Sequence, residues 1–341
     1  MGNRLLVVGS ASLHTFNFID LVRDGVEAVA LATSRMDRHV SYETHCLDFS
    51  LGLGLFRTVR HLRDIAKTFR PTVIHVHQAN SYALAAVLAF RDSGLPIVLT
   101  AWGSDILVNP RRSILLKQMV AYILSHVRVV TADSDHVLNE ARKLFGRPLD
   151  VCNVNFGVTF ESCIAPKEPI IYSNRLHKKL YNIDKIIRTF AGFYAQNPSW
   201  KLVIAGEGEG SETLQMLAME LGVSDQVDFI GFVSPEINHD YYCRATIYVS
   251  IPSSDSVSLS LVEAMGCGCV PFVSDLPANH ELIEAGSNGF IEPDLDAIDL
   301  SKYSDVDSEA LKRSREAVMV RFSKVENRRR YLELYEKYGL S

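Results

Sequence analysis

Long hydrophobic runs are missing from this 341-residue chain. The longest candidate, Tyr82 to Phe90, stops at Arg91, far short of the roughly 20 apolar residues a membrane-spanning helix needs. The opening MGNRLLVVGS has too short an apolar stretch for a secretory signal and reads as a first β-strand. Cysteine is sparse. Cys46, Cys152, Cys163, Cys243, Cys267 and Cys269 include no C-x-x-C pair and no evident zinc-ligand spacing, so they read as reduced thiols of a cytosolic protein. Repeats and low-complexity tracts are absent, which excludes solenoids and linker-like chains. Charge of one sign is in only slight excess, with a formal net charge of -5. Residues 1–165 carry 17 Lys and Arg against 14 Asp and Glu, and the rest carry 18 against 26. A faintly basic first half suggests an anionic partner there, and no nucleic-acid partner is expected.

What is present is alternation. Strand-like runs at Leu5–Gly9, Val26–Ala32, Thr72–His77, Ile97–Ala101, Val127–Ala132 and Val151–Phe156 are separated by helical patterns such as Leu55–Phe69. After Ala165-Pro166-Lys167-Glu168-Pro169 the series restarts with Ile170–Ser173, Lys201–Ala205, Val227–Ile230, Ile247–Ile251 and Val270–Val273. Helical patterns at Ile183–Gln196 and Glu212–Leu221 fall between them. Strand–helix alternation implies parallel sheets covered on both faces, and two series imply two doubly wound α/β domains. The expected division is residues 1–163, residues 164–322, and a terminal helix in 323–341 that returns to the first domain. Ligands of such sheets bind beyond the carboxyl ends of the strands, so the expected site is a cleft between the domains.

Chemistry concentrates in SSDSVSLSLVEAMGCGCVP, residues 253–271. Asp255 lies in a Ser-rich loop after a β-rich run, and Glu263 lies in a helix beginning near Ser258. A loop feeding a helix N-terminus offers unpaired backbone N–H groups to phosphate. Acids beside it suit sugar hydroxyls. Arg175, Lys178 and Lys179 follow the first strand of the second series, where a guanidinium gives a forked grip on phosphate and an ammonium a point charge. Gly206-Glu207-Gly208-Glu209-Gly210 joins strand to helix, but its glutamates would repel a pyrophosphate, which argues against a nicotinamide dinucleotide. A tight turn that lets a ligand approach the backbone fits better, as does a mere turn. Asp133-Ser134-Asp135 could hold a metal, but a Ser or Asp at a helix start is more simply a cap.

In the first series His14, His75, His77, Trp102 and Asp105 fall at strand ends. Each is as easily a structural residue as a ligand contact. Arg57, Arg60, Arg63, Lys67 and Arg70 form a basic stripe opposite Leu62, Ile65, Ala66 and Phe69, which fits either a covering helix or one that docks on anionic lipid.

In this order the residues resemble the family-4 glycosyltransferases, retaining enzymes of the GT-B fold. The likeness is strongest from Ile170 to Ile291. The family's Glu-x7-Glu segment matches SIPSSDSVSLSLVEAMGCGCVP, with Asp255 in the first acidic place and Glu263 in the second. The resemblance implies a nucleoside-diphosphate-sugar donor, no metal, and a glycan or lipid-linked acceptor at the inner face of a membrane. It implies that Glu263 binds the ribose, Asp255 the donor sugar, and the backbone of Ser258, Leu259, Ser260 and Leu261 the diphosphate, beside Gly206 and Gly208. Arg175 matches the arginine that neutralises the leaving diphosphate, with Lys179 or Lys178 as its companion, because Leu180 stands where the family has lysine. Asn279 and Glu281 match a further family segment. His14, His77, Trp102 and Asp105 fall on the acceptor side, with Trp102 in a place usually held by histidine. A nucleotide-sugar epimerase of the same architecture, or a catalytically silent partner subunit, are the alternative readings.

Overall fold

The computed structural model describes residues 2–36 and 38–339. The chain folds as two compact units, residues 1–157 with 324–341, and residues 158–323.

The first unit holds a seven-stranded parallel sheet built from β1 (Arg4–Val8), β2 (Ala28–Thr33), β3 (Glu43–Cys46), β4 (Val73–His77), β5 (Ile97–Thr100), β6 (Val129–Ala132) and β7 (Val151–Asn153), in the order β3-β2-β1-β4-β5-β6-β7. Central strands such as LLVV and VIHVH are buried along their whole length, because helices cover both faces. One face packs Leu6, Val8, Ile74, Val76 and Leu99 under the Leu53–Phe69 and Ser81–Phe90 helices. The opposite face packs Leu5, Val7, Val73 and Val98 against Phe18 and the terminal Lys324–Tyr338 helix, which buries Tyr331, Leu334 and Tyr335. That helix is tied down by polar contacts as well. Tyr335 pairs with His75 Nδ1 at 2.6 Å, and the Asn327 side chain accepts from Asn155 N–H at 3.0 Å.

The second unit holds a six-stranded parallel sheet of β8 (Glu168–Ser173), β9 (Lys201–Ala205), β10 (Val227–Gly231), β11 (Ala245–Ser250), β12 (Val270–Ser274) and β13 (Phe290–Glu292), in the order β10-β9-β8-β11-β12-β13. Its two apolar faces are separate clusters, one around Ile171, Ile187, Phe190 and Leu202, the other around Tyr172, Tyr248, Val262 and Met265.

Both sheets reverse direction of growth at one place, between β1 and β4 in the first unit and between β8 and β11 in the second. At such a switch point the loops diverge and leave a crevice at the carboxyl ends of the strands. Strands β3 and β13 lie at sheet edges and are not among the runs expected from sequence. The expectation of six reduced thiols is corrected too. Cys163 and Cys243 are joined as a disulfide across 80 residues, while Cys46, Cys152, Cys267 and Cys269 are free. The chain path brings the segment before β8 alongside the end of the Pro235–Arg244 helix, a proximity no local spacing encodes.

Candidate active site

The switch point of the second unit gathers residues from two loops. Arg175 follows β8 and Asp255 follows β11. Arg175 Nη2 donates to Asp255 Oδ2 at 2.6 Å, and Nη1 donates to Ser258 Oγ at 2.5 Å. The Tyr181 ring lies under the guanidinium, 4.6 Å from its carbon. Burial alone would lower the Arg175 pKa, but the electrostatic pull of Tyr248 and Asp255 outweighs it and leaves the group above its ordinary value. Arg175 is a fixed cation.

Ser258 occupies the N-cap of the Leu259–Gly266 helix, yet its side chain makes no capping bond because its hydroxyl is taken by Arg175. The first turn of that helix therefore presents backbone N–H groups that no cap side chain satisfies, with the positive end of the dipole beside a guanidinium. Chemically the arrangement suits an anion, and it is the candidate anion seat of the unit.

One helical turn on, Glu263 stands over a buried polar network. Tyr172, Tyr242 and Tyr248 are each at most 1% exposed. Tyr248 OH donates to Asn174 Oδ1 at 2.9 Å, Asn174 Nδ2 donates to Tyr242 OH at 2.7 Å, and Tyr172 OH donates to Asn238 Oδ1 at 2.7 Å. Burial raises the Glu263 pKa, and a hydrogen bond from Tyr242 opposes the rise. Sequence reasoning misses these tyrosines and Asn174. Tyr172 on β8 and Tyr248 on β11 sit among apolar residues and read as core, and Tyr242 on the Pro235–Arg244 helix and Asn174 in the loop after β8 carry no local signal.

The Lys179–Tyr181 turn is stapled to the loop after β11, with Ser253 N–H donating to Leu180 O at 2.8 Å and Asn182 Nδ2 to Ile251 O at 2.7 Å. Lys178 and Lys179 are both exposed on that turn. Gly206 has φ +109°, and a Cβ there would come within 2.5 Å of the Arg175 carbonyl oxygen; one at Gly208 would come within 2.7 Å of His177 O. These glycines let the β9 loop pack against the backbone that carries Arg175. With Ser211, Gln215, Phe229 and Gly231 they line a cavity of about 610 Å³. Asn279 and Glu281 are spent structurally, on Ser274 O at 2.8 Å and on Arg321 at 3.0 Å.

The switch point of the first unit brings together His14, His77 and Trp102. Trp102 Nε1 donates to His77 Nδ1 at 3.2 Å, and the His14 and Trp102 rings meet edge to face at 5.0 Å. His77 is fully buried, its Nε2 has no hydrogen-bond partner among the described residues, and burial with the nearby His14 pushes its pKa down to about 3. Asp105 is buried, its carboxylate accepting from Ala79 N–H at 2.7 Å and Trp102 N–H at 3.0 Å, so it holds the Trp102 loop in place. His75 is internal and paired with Tyr335 and Thr100. Ser134 caps the Asp135–Phe145 helix through Val137 N–H, the role expected of that Asp-Ser-Asp run.

Two family models match, Glycosyl transferases group 1 over residues 162–306 and Glycosyl transferase 4-like over residues 5–134. The chain belongs to the family-4 glycosyltransferases. It is thus a nucleotide-sugar-dependent transferase, and the epimerase reading is set aside. Among its relatives is the N-acetyl-alpha-D-glucosaminyl L-malate synthase of Bacillus anthracis, 26% identical over 286 residues, 76% of this chain and 73% of that one. Similar solved structures include Anabaena HepE in complex with UDP, at TM-score 0.78, 14% identity, and coverage of 98% of this chain and all of that one. A glycosyltransferase from Rickettsia africae superposes at TM-score 0.81, 12% identity, and 98% coverage of both chains. At these identities the structures establish the shared GT-B fold of two parallel-sheet α/β domains.

Proposed function

We propose that this family-4 glycosyltransferase moves a hexosyl or N-acetylhexosaminyl group, with retention, from a nucleoside diphosphate to a glycan or lipid-linked acceptor, without a metal. The observation that carries the reading is the Arg175 guanidinium fixed at an uncapped helix N-terminus. The diphosphate sits on the N–H groups of Leu259, Ser260 and Leu261, flanked by Arg175 and Lys179. Glu263 accepts from the ribose hydroxyls, and the cavity beside Gly206 and Gly208 takes the nucleoside. Asp255 meets the donor sugar from its place against Arg175.

In the reaction the C1–O bond to phosphate breaks toward an oxocarbenium-like state. The diphosphate gains charge, which the preorganised guanidinium and helix dipole stabilise more than in the ground state. The new C1–O bond forms from the acceptor hydroxyl on the same face, and its proton passes to the departing phosphate oxygen. No side-chain base is then required. His14 and Trp102 line the acceptor side, and the buried, neutral His77 supports them by accepting from Trp102 Nε1. The UDP in the Anabaena structure supports a uridine-type donor, and the relative's name, an N-acetylglucosaminyl malate synthase, supports an N-acetylhexosaminyl group.

A cytoplasmic enzyme working at the inner membrane face fits the Leu53–Phe69 helix. Leu53 and Phe56 are 90% and 71% exposed beside the exposed Arg57 and Arg60. Arg63 is turned to Leu88 O and Ala89 O, so the docking stripe is shorter than residues 57–70 suggest. Among the described residues no helix is long and apolar enough to cross a membrane.

Thermal shift against UDP, GDP, ADP and CMP and their sugar conjugates in chelator tests the donor reading. Ligand at a hundred times its Kd adds about 2.7 kcal/mol. A selective shift is expected, and no shift with any nucleotide would favour a silent partner subunit instead.

A further inference from the structure

At the end of the second sheet opposite the anion seat lies a cluster the glycosyltransferase reading does not use. Arg175 and Asp255 follow the carboxyl ends of β8 and β11. The amino ends of β8, β11 and β12 are approached by Cys163, Cys243 and Cys267, and strands of this length separate the two ends by about 17–20 Å. His239 and Cys243 are four residues apart on the Pro235–Arg244 helix and so share a face. One donor atom each from Cys163, His239, Cys243 and Cys267 lies within 4.8 Å of all the others. His239 Nε2 is 3.3 Å from Cys243 Sγ, and its Nδ1 is 3.7 Å from Cys267 Sγ. A tetrahedral zinc ion with Zn–S near 2.3 Å sets its ligands about 3.7 Å apart, and three Cys with one His is a standard closed donor set.

We propose that the reduced second unit binds a thiophilic divalent cation, of which zinc is the type, through Cys163, Cys243, Cys267 and His239. The surroundings suit three thiolates on a dication, a centre of net charge −1. Lys167 Nζ donates to Tyr242 O at 2.9 Å and lies 3.6 Å from Cys269 Sγ, and Arg315 Nε donates to Gly266 O at 2.8 Å. Two cations thus border the cluster through the residues adjoining its ligands. Gly266 contributes by its size, since a Cβ there would collide with the Phe160 ring and push the Cys163 segment away. Cys269 is not a ligand; its thiol donates to Tyr242 O at 3.1 Å.

Binding requires the Cys163–Cys243 bond to be open. A dithiol reductant supplies two electrons and two protons, becoming a disulfide itself and leaving two thiols. Coordination by three thiolates then releases three protons. The metal would clamp the Pro235–Arg244 helix, whose adjoining face presents Asn238 and Tyr242 to the network beneath Glu263. The site is structural and takes no part in glycosyl transfer.

The test is metal content of the full chain, reduced with a phosphine, incubated with equimolar zinc and desalted. The wild type and Cys269→Ser are expected to retain about one zinc per chain and Cys267→Ser less than a tenth. In the wild type, cobalt in place of zinc is expected to show thiolate-to-cobalt charge transfer in the near ultraviolet, a readout that needs no variant to fold. Reduced wild type that retains no zinc, or Cys267→Ser that retains as much, overturns the proposal. So does a Cys163–Cys243 disulfide that persists through reduction with no metal bound.

Discussion

Asp255 Oδ2 accepts from Arg175 Nη2 at 2.6 Å, across 80 residues of sequence. The pair is largely shielded, with side-chain exposures of 27% and 12%. It aims the guanidinium, whose other nitrogen holds Ser258, so an arriving diphosphate meets a cation that loses little rotamer freedom on binding.

Arg175→Ala is expected to lower kcat by about 10²–10³, the usual loss for one preorganised charge-stabilising group. Arg175→Lys keeps a point charge without the fork and should fall between wild type and Ala. Steady-state kinetics with the donor found by thermal shift checks both. An unchanged kcat in Arg175→Ala would remove it from the chemistry.

Glu263 is a carboxylate whose pKa burial raises, so the native state holds its proton more tightly than the unfolded chain. Its ionisation therefore costs stability, absent below the ordinary Glu range and growing as pH rises above it. Glu263→Gln should melt higher than wild type at pH 7.5, with the gap closing near pH 4, while donor Kd rises at least tenfold. Melting curves across pH and donor titration measure the two effects. Equal donor affinity would end the ribose assignment.

His75 and His77 are neutral and fully buried, the second with a pKa near 3. The unfolded chain binds protons near pH 6.5 and the native one does not, so their contribution is complete above that pH and is lost as pH falls. Each group adds a slope of at most about 1.4 kcal/mol per pH unit. Urea unfolding between pH 7.5 and 5.5 should show the loss, and His77→Gln should reduce the slope. An unaltered slope would place the titration elsewhere.

Gly206→Ala meets both an unfavourable φ and the Arg175 carbonyl, whereas at Gly222, with φ +69°, a Cβ would meet no atom within 4 Å. Gly222→Ala should cost about 1–2 kcal/mol from backbone strain alone. Gly206→Ala should cost more and also raise the donor KM. Equal losses with unchanged KM would show that the two loops need not touch.

Vesicle flotation tests the membrane reading. Arg57→Gln with Arg60→Gln should lower binding to anionic vesicles and leave binding to neutral ones unaltered. Undiminished binding to anionic vesicles would remove the lipid role.

Much of the fold is legible in the chain because buried parallel strands are written as continuous apolar runs. VIHVH, KLVIA and ATIYVS each lie in such strands, and the helical periods between them imply the covering layers. Two of the four edge strands escape this logic. ETHC in β3 and FIE in β13 are short, with one neighbouring strand each, so they need no long apolar run. The residue types around the anion seat are equally legible, since Asp255, Ser258 and Glu263 sit within one short segment.

Local pattern and strand ends were enough to specify two α/β units and which loops carry acids and cations, and the motif around Asp255 and Glu263 carried the family resemblance. It took the folded chain to show that Ser258 surrenders its cap to Arg175, and that three core tyrosines underlie Glu263. Folding also settles that Gly206 and Gly208 serve loop packing, and that Cys163 meets His239, Cys243 and Cys267. Each of these is a meeting of side chains from distant segments, set by how parallel strands order themselves in a sheet, and spacing along the chain carries no trace of that order.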